Sequence, residues 1–171
     1  VQLDVERYGG MIFSSWFDRP LSVAGRVLVR TEEGISTRLV NIDRDLVMIP
    51  NVAIHMNREV NNGYKYNAQV DLMPLFGDAS AKGSFRRLIA EACGVQEADV
   101  LGSDLYLYNR MGGTVWGANE EFMSAGRLDD MECAYSSVRA LTGAMPDAAH
   151  VNVCCVFDNE EVGSGTKQGA D

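Results

Sequence analysis

The stretch that most restricts what this chain can fold into is Val151–Gly165, which reads VNVCCVFDNEEVGSG. Val151 to Phe157 are almost all apolar, with Asn152 the one strongly polar member. A short run rich in Val and Cys, stopped by polar residues and Gly, predicts a strand buried on both faces. Asp158, Asn159, Glu160 and Glu161 follow at its C-terminal end, the end at which open α/β sheets bind ligands. Two adjacent glutamates beside a buried strand are costly unless something positive, such as a metal ion, lies beside them. Gly163 and Gly165 let the backbone turn and come close to a bound group. Taken alone, an Asp-Asn-Glu-Glu run is more often a solvated loop, so the rest of the chain has to decide.

The 171 residues suit one domain, or one domain and part of another. With 46% hydrophobic and 23% charged residues the chain can bury a core. A net charge of −9 argues against nucleic acid and against an anionic membrane surface as partners. No apolar run reaches the length of a transmembrane helix, and the opening Val1-Gln2-Leu3-Asp4 has no signal-peptide pattern. Cys93, Cys133, Cys154 and Cys155 include no C-x-x-C pair. They read as small, mostly buried hydrophobes, reduced in a cytoplasmic protein.

Along the chain, Gln2–Glu6 alternates with period two until Gly9-Gly10. Val23–Arg30, Ile35–Val40 and Leu46–Ile49 read as strands, separated by the turns Glu32-Glu33-Gly34 and Asn41–Asp45. They predict an antiparallel meander or small barrel ended by Pro50. Tyr64–Phe76 reads as extended or irregular. Ser84–Cys93 is predicted helical, with Phe85, Leu88, Ile89, Ala92 and Cys93 on one face and Gly94 as its stop. Leu105–Tyr108 reads as a strand, with the loop Asn109–Gly117 after it. Gly112-Gly113 lacks the Lys and Ser/Thr of a phosphate cradle. Leu128, Met131, Tyr135, Val138 and Leu141 mark an amphipathic helix with Asp129 or Asp130 at its start, placed to cap it. His150 has no motif around it and reads as structural, as His55 would on its own.

The motifs FDNEEVGS and Gly126-Arg127-Leu128-Asp129-Asp130 resemble those of the aspartyl aminopeptidase family, the two-metal zinc exopeptidases. Tyr8-Gly9-Gly10, Trp16–Arg19, Ala24–Val27 and Ile49–Arg58 match as well, in family order and over essentially the whole chain. The resemblance implies a mixed α+β architecture: a mainly β inserted oligomerisation domain flanked by parts of an α/β zinc-exopeptidase catalytic domain. Residues 1–16 would be a catalytic-domain strand segment, 17–118 the inserted dimerisation domain, and 119–171 the catalytic segment with metal ligands. It further implies Glu160 as general base, Glu161 as a zinc ligand and Asp129 as the carboxylate bridging two zinc ions. The residue after Asp129 is usually Asn in that motif and is Asp130 here, which adds negative charge. His55 would reach a neighbouring subunit's active site and hold the substrate carbonyl or its oxyanion, a task for a positioned donor.

The implied cofactor is Zn2+, two per complete site, although carboxylate ligands accept other divalent metals. The implied partners are a peptide with a free N-terminal Asp or Glu, and further copies of the chain in a homo-oligomer. His55 and His150 are the only histidines, and neither matches a ligand motif. The resemblance places one His ligand before Val1, and an Asp and a second His after Asp171. The expectation is therefore the middle of a longer enzyme, inactive by itself. Two alternatives stand beside it: an oligomerisation or interaction module whose catalytic remnants are inert in this piece, and a related two-metal exopeptidase of different specificity.

Overall fold

The computed structural model describes residues 1–145, 147, 149–163, 165 and 167. They form two compact units. The first holds Val1–Arg7 and Ile12–Arg110, and the second Tyr8–Met11 with the chain from Met111 onward.

The first unit is built on a three-stranded antiparallel sheet. β1 (Leu21–Thr31) is central, with β2 (Gly34–Asn41) on one side and β3 (Val100–Asn109) on the other. The β1–β2 hairpin turns at Glu32-Glu33 and runs in register from Thr31↔Gly34 to Ala24↔Asn41. β3 pairs with β1 from Leu21↔Asn109, and a bulge at Leu28/Val29 shifts the register near its start. Odd positions of β1 point to the core: Val23, Val27 and Val29 are at most 2% exposed. Helix α2 (Ser84–Cys93) covers them, and Ile89, Ala90, Val40, Ile42 and Val100 complete the cluster.

The contacting face of α2 is the predicted one at Phe85, Leu88, Ile89 and Cys93, which all pack on this cluster, with Ala90 buried there in place of the exposed Ala92. Arg86 lies at the edge of that face. Its guanidinium donates to the carbonyls of Glu97 at 3.3 Å and Val100 at 2.5 Å, tying the helix to the start of β3. Gly94 ends the helix in the left-handed region at φ 70° and donates to the carbonyls of Ala90 and Glu91, as the sequence predicts.

A second cluster joins Phe17, Leu21, Val47, Ile49 and Leu72. The predicted third strand, Leu46–Ile49, is only a set of isolated bridges, with Val47 on Leu21, Met48 on Leu75 and Ile49 on Phe17. Its partners come from three different segments, so no ladder propagates. Gln2–Glu6 likewise contributes one bridge, Gln2 to Leu75. Within 64–76 there is a single helical turn, α1 (Ala68–Asp71). The Asn67 side chain caps it by accepting from the Gln69 amide at 3.0 Å. Asp71 accepts from the Asn67 amide at 2.6 Å. At the end of β3, Arg110 bridges Asp45 at 2.7 Å and Asp43 at 2.8 Å, tying the strand to the 41–45 turn.

The second unit contains the two-stranded ribbon β4 (Thr114–Trp116) and β5 (Phe122–Ser124) and the helix α3 (Leu128–Gly143). Trp116 stacks on Phe122 with ring centres 4.8 Å apart, and its indole N–H donates to Ser124 Oγ at 2.8 Å. No residue of α3 is buried. The run predicted as a doubly buried strand is neither a strand nor buried. Val151 is 88% exposed, Val153 75% and Phe157 67%. Such a strand needs neighbours to hydrogen-bond and a layer on each face, and no described segment pairs with residues 151–157. The cysteines follow suit: all four are free, Cys133 and Cys155 are exposed, and Cys93 and Cys154 are half-buried.

Candidate functional site

Asp129, Glu160 and Glu161 all belong to the second unit, and His55 to the first. Asp129 sits at the head of α3. Arg127 precedes the helix in the left-handed region at φ 61°, and Asp129 keeps extended angles, φ −83° and ψ 113°. The Asp129–Asp130 peptide is cis. Neither carboxylate caps the helix as the sequence suggested, since no side-chain cap bond forms. With Asp129 extended, its carboxylate is not directed at the first-turn amides.

Glu160 and Glu161 open a single 3-10 turn, Glu160–Val162, at the end of the apolar run. Asn159 begins it at φ 65°, a conformation that Asn tolerates better than most residues. Gly163 closes it, its amide donating to the Glu160 carbonyl at 3.0 Å. Both glutamate side chains are exposed. The Tyr8 hydroxyl donates to Asn159 Oδ1 at 2.9 Å, and the Gly10 amide to the Glu161 carbonyl at 3.3 Å. Asn159 was not singled out in the sequence. The signal was present, because Asn is among the few non-Gly residues that accept positive φ, and it directly precedes the glutamate pair.

His55 lies on an exposed turn, flanked by exposed Ile54 and Met56. The start of its loop is fixed by Asp18, which accepts from the Asn51 amide at 2.8 Å and from the Asn51 side-chain amide at 2.9 Å. Those bonds hold the Asp18 carboxyl below the usual carboxylate range. A lowered pKa means the tether is complete above the ordinary carboxylate pKa and is lost as pH falls through the lowered value. His150 bonds through Nδ1 to Asp147 Oδ2 at 2.6 Å.

Asp129 and Glu161 fit a divalent cation in kind, because carboxylate oxygens are among the ligands zinc takes. They do not fit it in number. No group of three or more His, Cys, Asp or Glu side chains comes together among the described residues. The described residues therefore do not close a metal site by themselves.

The class of protein is given by comparison with known sequences, which places the chain among the zinc metalloproteases. The sequence model described as aminopeptidase I zinc metalloprotease (M18) matches residues 1–171, and the chain belongs to that family. A probable M18 family aminopeptidase 2 of Clostridium acetobutylicum is 48% identical over 177 residues, covering all of this chain and 41% of the relative. The solved structure of Chaetomium thermophilum mApe1 aligns with a TM-score of 0.79 at 30% identity, over 99% of this chain and 42% of that one. An S. cerevisiae mApe1 dodecamer aligns at 0.63 with 25% identity, over 82% of this chain and 32% of that one. The chain thus spans about two fifths of the length of the relatives it matches. Among the described residues no helix is long and apolar enough to cross a membrane.

Proposed function

We propose that this chain is the central part of an M18 metallo-aminopeptidase that removes N-terminal Asp or Glu from peptides at a two-zinc site. The observation that carries this reading is the Glu160–Glu161 pair, presented on one tight turn within the same unit as Asp129. Asp129 and Glu161 would be metal ligands, with the remaining ligands supplied by the longer polypeptide. Bound zinc supplies Lewis acidity for the attacking water and the substrate carbonyl. Glu160, not committed to metal, takes the proton from the water and passes it to the leaving amine. Adjacent residues on such a turn direct their side chains differently, which lets one serve the metal and its neighbour the proton. Residues 1–16 and 119–171 would belong to the catalytic domain and 17–118 to the dimerisation domain. Four free thiols suit a reducing, cytoplasmic setting.

Self-association is part of the same reading. Even positions of β1 and their partners leave an open sheet face on which Leu28, Ile35, Leu39 and Tyr106 are 43%, 72%, 85% and 45% exposed. Apolar side chains gathered on one face favour burial against another protein surface, and a related M18 enzyme forms a dodecamer. His55 would then serve a neighbouring subunit. His55→Ala is expected to lower kcat by about 10²-fold, as loss of one oxyanion donor does, with metal content unchanged. Unaltered kcat would remove His55 from the site.

Elemental analysis of the chain and of its longer parent tests the division of the site. Two zinc ions per parent subunit and almost none on this chain are expected. Stoichiometric metal on this chain alone would mean that Asp129, Glu160 and Glu161 have partners within it. The alternative, an interaction module that is inert as this piece, shares that ancestry, and the mass and gene context of the parent polypeptide separate the two.

A further inference from the structure

The second unit is discontinuous. Four residues from near the start of the chain, Tyr8–Met11, join it across a gap of about a hundred residues. That short segment lies on the turn carrying the glutamate pair, and it makes three separate engagements there. The Tyr8 hydroxyl donates to Asn159 Oδ1 at 2.9 Å. The Gly10 amide donates to the Glu161 carbonyl at 3.3 Å. Gly9 lies so close to the turn that a Cβ there would stand 1.7 Å from the Glu161 carbonyl oxygen and 2.4 Å from its carbon. Both of those atoms are backbone, so they could not swing aside as a flexible side chain would.

We propose that Tyr8-Gly9-Gly10 is a positioning strap that fixes the direction of Glu160 and Glu161. The proposal rests on the roles given to those two residues under Proposed function. Asn159 sits at φ 65°, which Asn tolerates without being restricted to it, so the direction of the turn depends on what its side chain and the following carbonyls bond to. The Tyr8 hydroxyl holds the Asn159 side chain, and the Gly10 amide holds the next peptide but one. Between them the Glu160 backbone is gripped from both sides. Neither Tyr8 nor Gly9 touches a reacting atom. Their effect runs through the turn, where a displacement of about 1 Å costs on the order of 10²-fold in rate.

The test uses the longer polypeptide, with kcat, KM and zinc retention against a chelator read for each variant. Tyr8→Phe removes only the hydroxyl. Asn159→Gly tolerates the left-handed backbone and removes the acceptor together with the rest of the side chain. Each is expected to lower kcat about 10-fold at unchanged KM, and the double variant is expected to be no worse than the poorer single one, because both remove the same bond. Gly9→Ala is expected to lower kcat about 100-fold and to release zinc to the chelator faster, since it displaces Glu161. Wild-type kcat in Tyr8→Phe, strictly additive losses in the double variant, or wild-type zinc retention in Gly9→Ala would each overturn the strap. Glu160→Gln serves as the reference. If it leaves turnover intact, the general-base role fails, while zinc retention in Gly9→Ala still decides the strap.

Discussion

Glu160→Gln is expected to reduce kcat of the longer enzyme by about 10²–10⁴-fold, the range general acid–base groups contribute, and to leave its zinc in place. Gln has the shape of Glu and keeps a hydrogen-bonding oxygen, but it cannot take up the water's proton. The companion change Glu161→Gln is expected to lose metal together with rate, because a neutral amide is a poor ligand for a divalent cation. The contrast matters more than either result. The two residues are neighbours on one 3-10 turn, and both are exposed. Equal loss of zinc in both variants would put Glu160 among the ligands and leave the base to be found elsewhere. Unchanged kcat in Glu160→Gln would end its role altogether.

Ile89→Ala is expected to destabilise the first unit by about 3 kcal/mol, within the range for deleting a buried aliphatic side chain. Ile89 is 2% exposed and sits in the cluster formed by the inward valines of β1 with Val40, Ile42 and Val100. Its removal leaves a void between the helix and the sheet that neither can close without losing its own hydrogen bonds. Urea unfolding monitored through Trp16, which packs against the neighbouring cluster, would read the change as a lower midpoint at unaltered slope. A shift worth less than about 1 kcal/mol would mean that α2 is not seated on the sheet as described.

Where structure follows from local periodicity, the sequence was legible. The limits of α2 coincide with the predicted Ser84–Cys93, and the β1–β2 hairpin falls where Glu32-Glu33-Gly34 interrupts two apolar runs. β3 was half seen. Leu105–Tyr108 is apolar and aromatic, whereas Gly102-Ser103-Asp104 has no strand pattern and is held by its register on β1. Arg26 pairs with Asp104 there at 2.9 Å, a cross-strand bond that no local window could show. The run at 151–157 failed for the opposite reason. Its composition is that of a buried strand, but burial is supplied by other segments, and none of the described ones covers it. At the candidate site the motifs named Asp129, Glu160 and Glu161, while the device around them stayed hidden. The left-handed angle of Asn159 and its bond to Tyr8 depend on a partner 151 residues away.

That separation has a consequence for how the protein is made. Tyr8 leaves the ribosome 151 residues before Asn159, an interval on the order of 10 s at ordinary synthesis rates. Through that interval the strap has nothing to hold. The first unit, complete once Arg110 has emerged, can form meanwhile, and its β1–β3 ladder places Leu21 beside Asn109. This cross-link by hydrogen bonds shortens the loop between Tyr8 and Asn159 to about 60 residues and lowers its closure cost by about 0.8 kcal/mol. The turn bearing the glutamates can thus meet Tyr8 only after its own synthesis, by which time the β1–β3 ladder has had the whole interval in which to form.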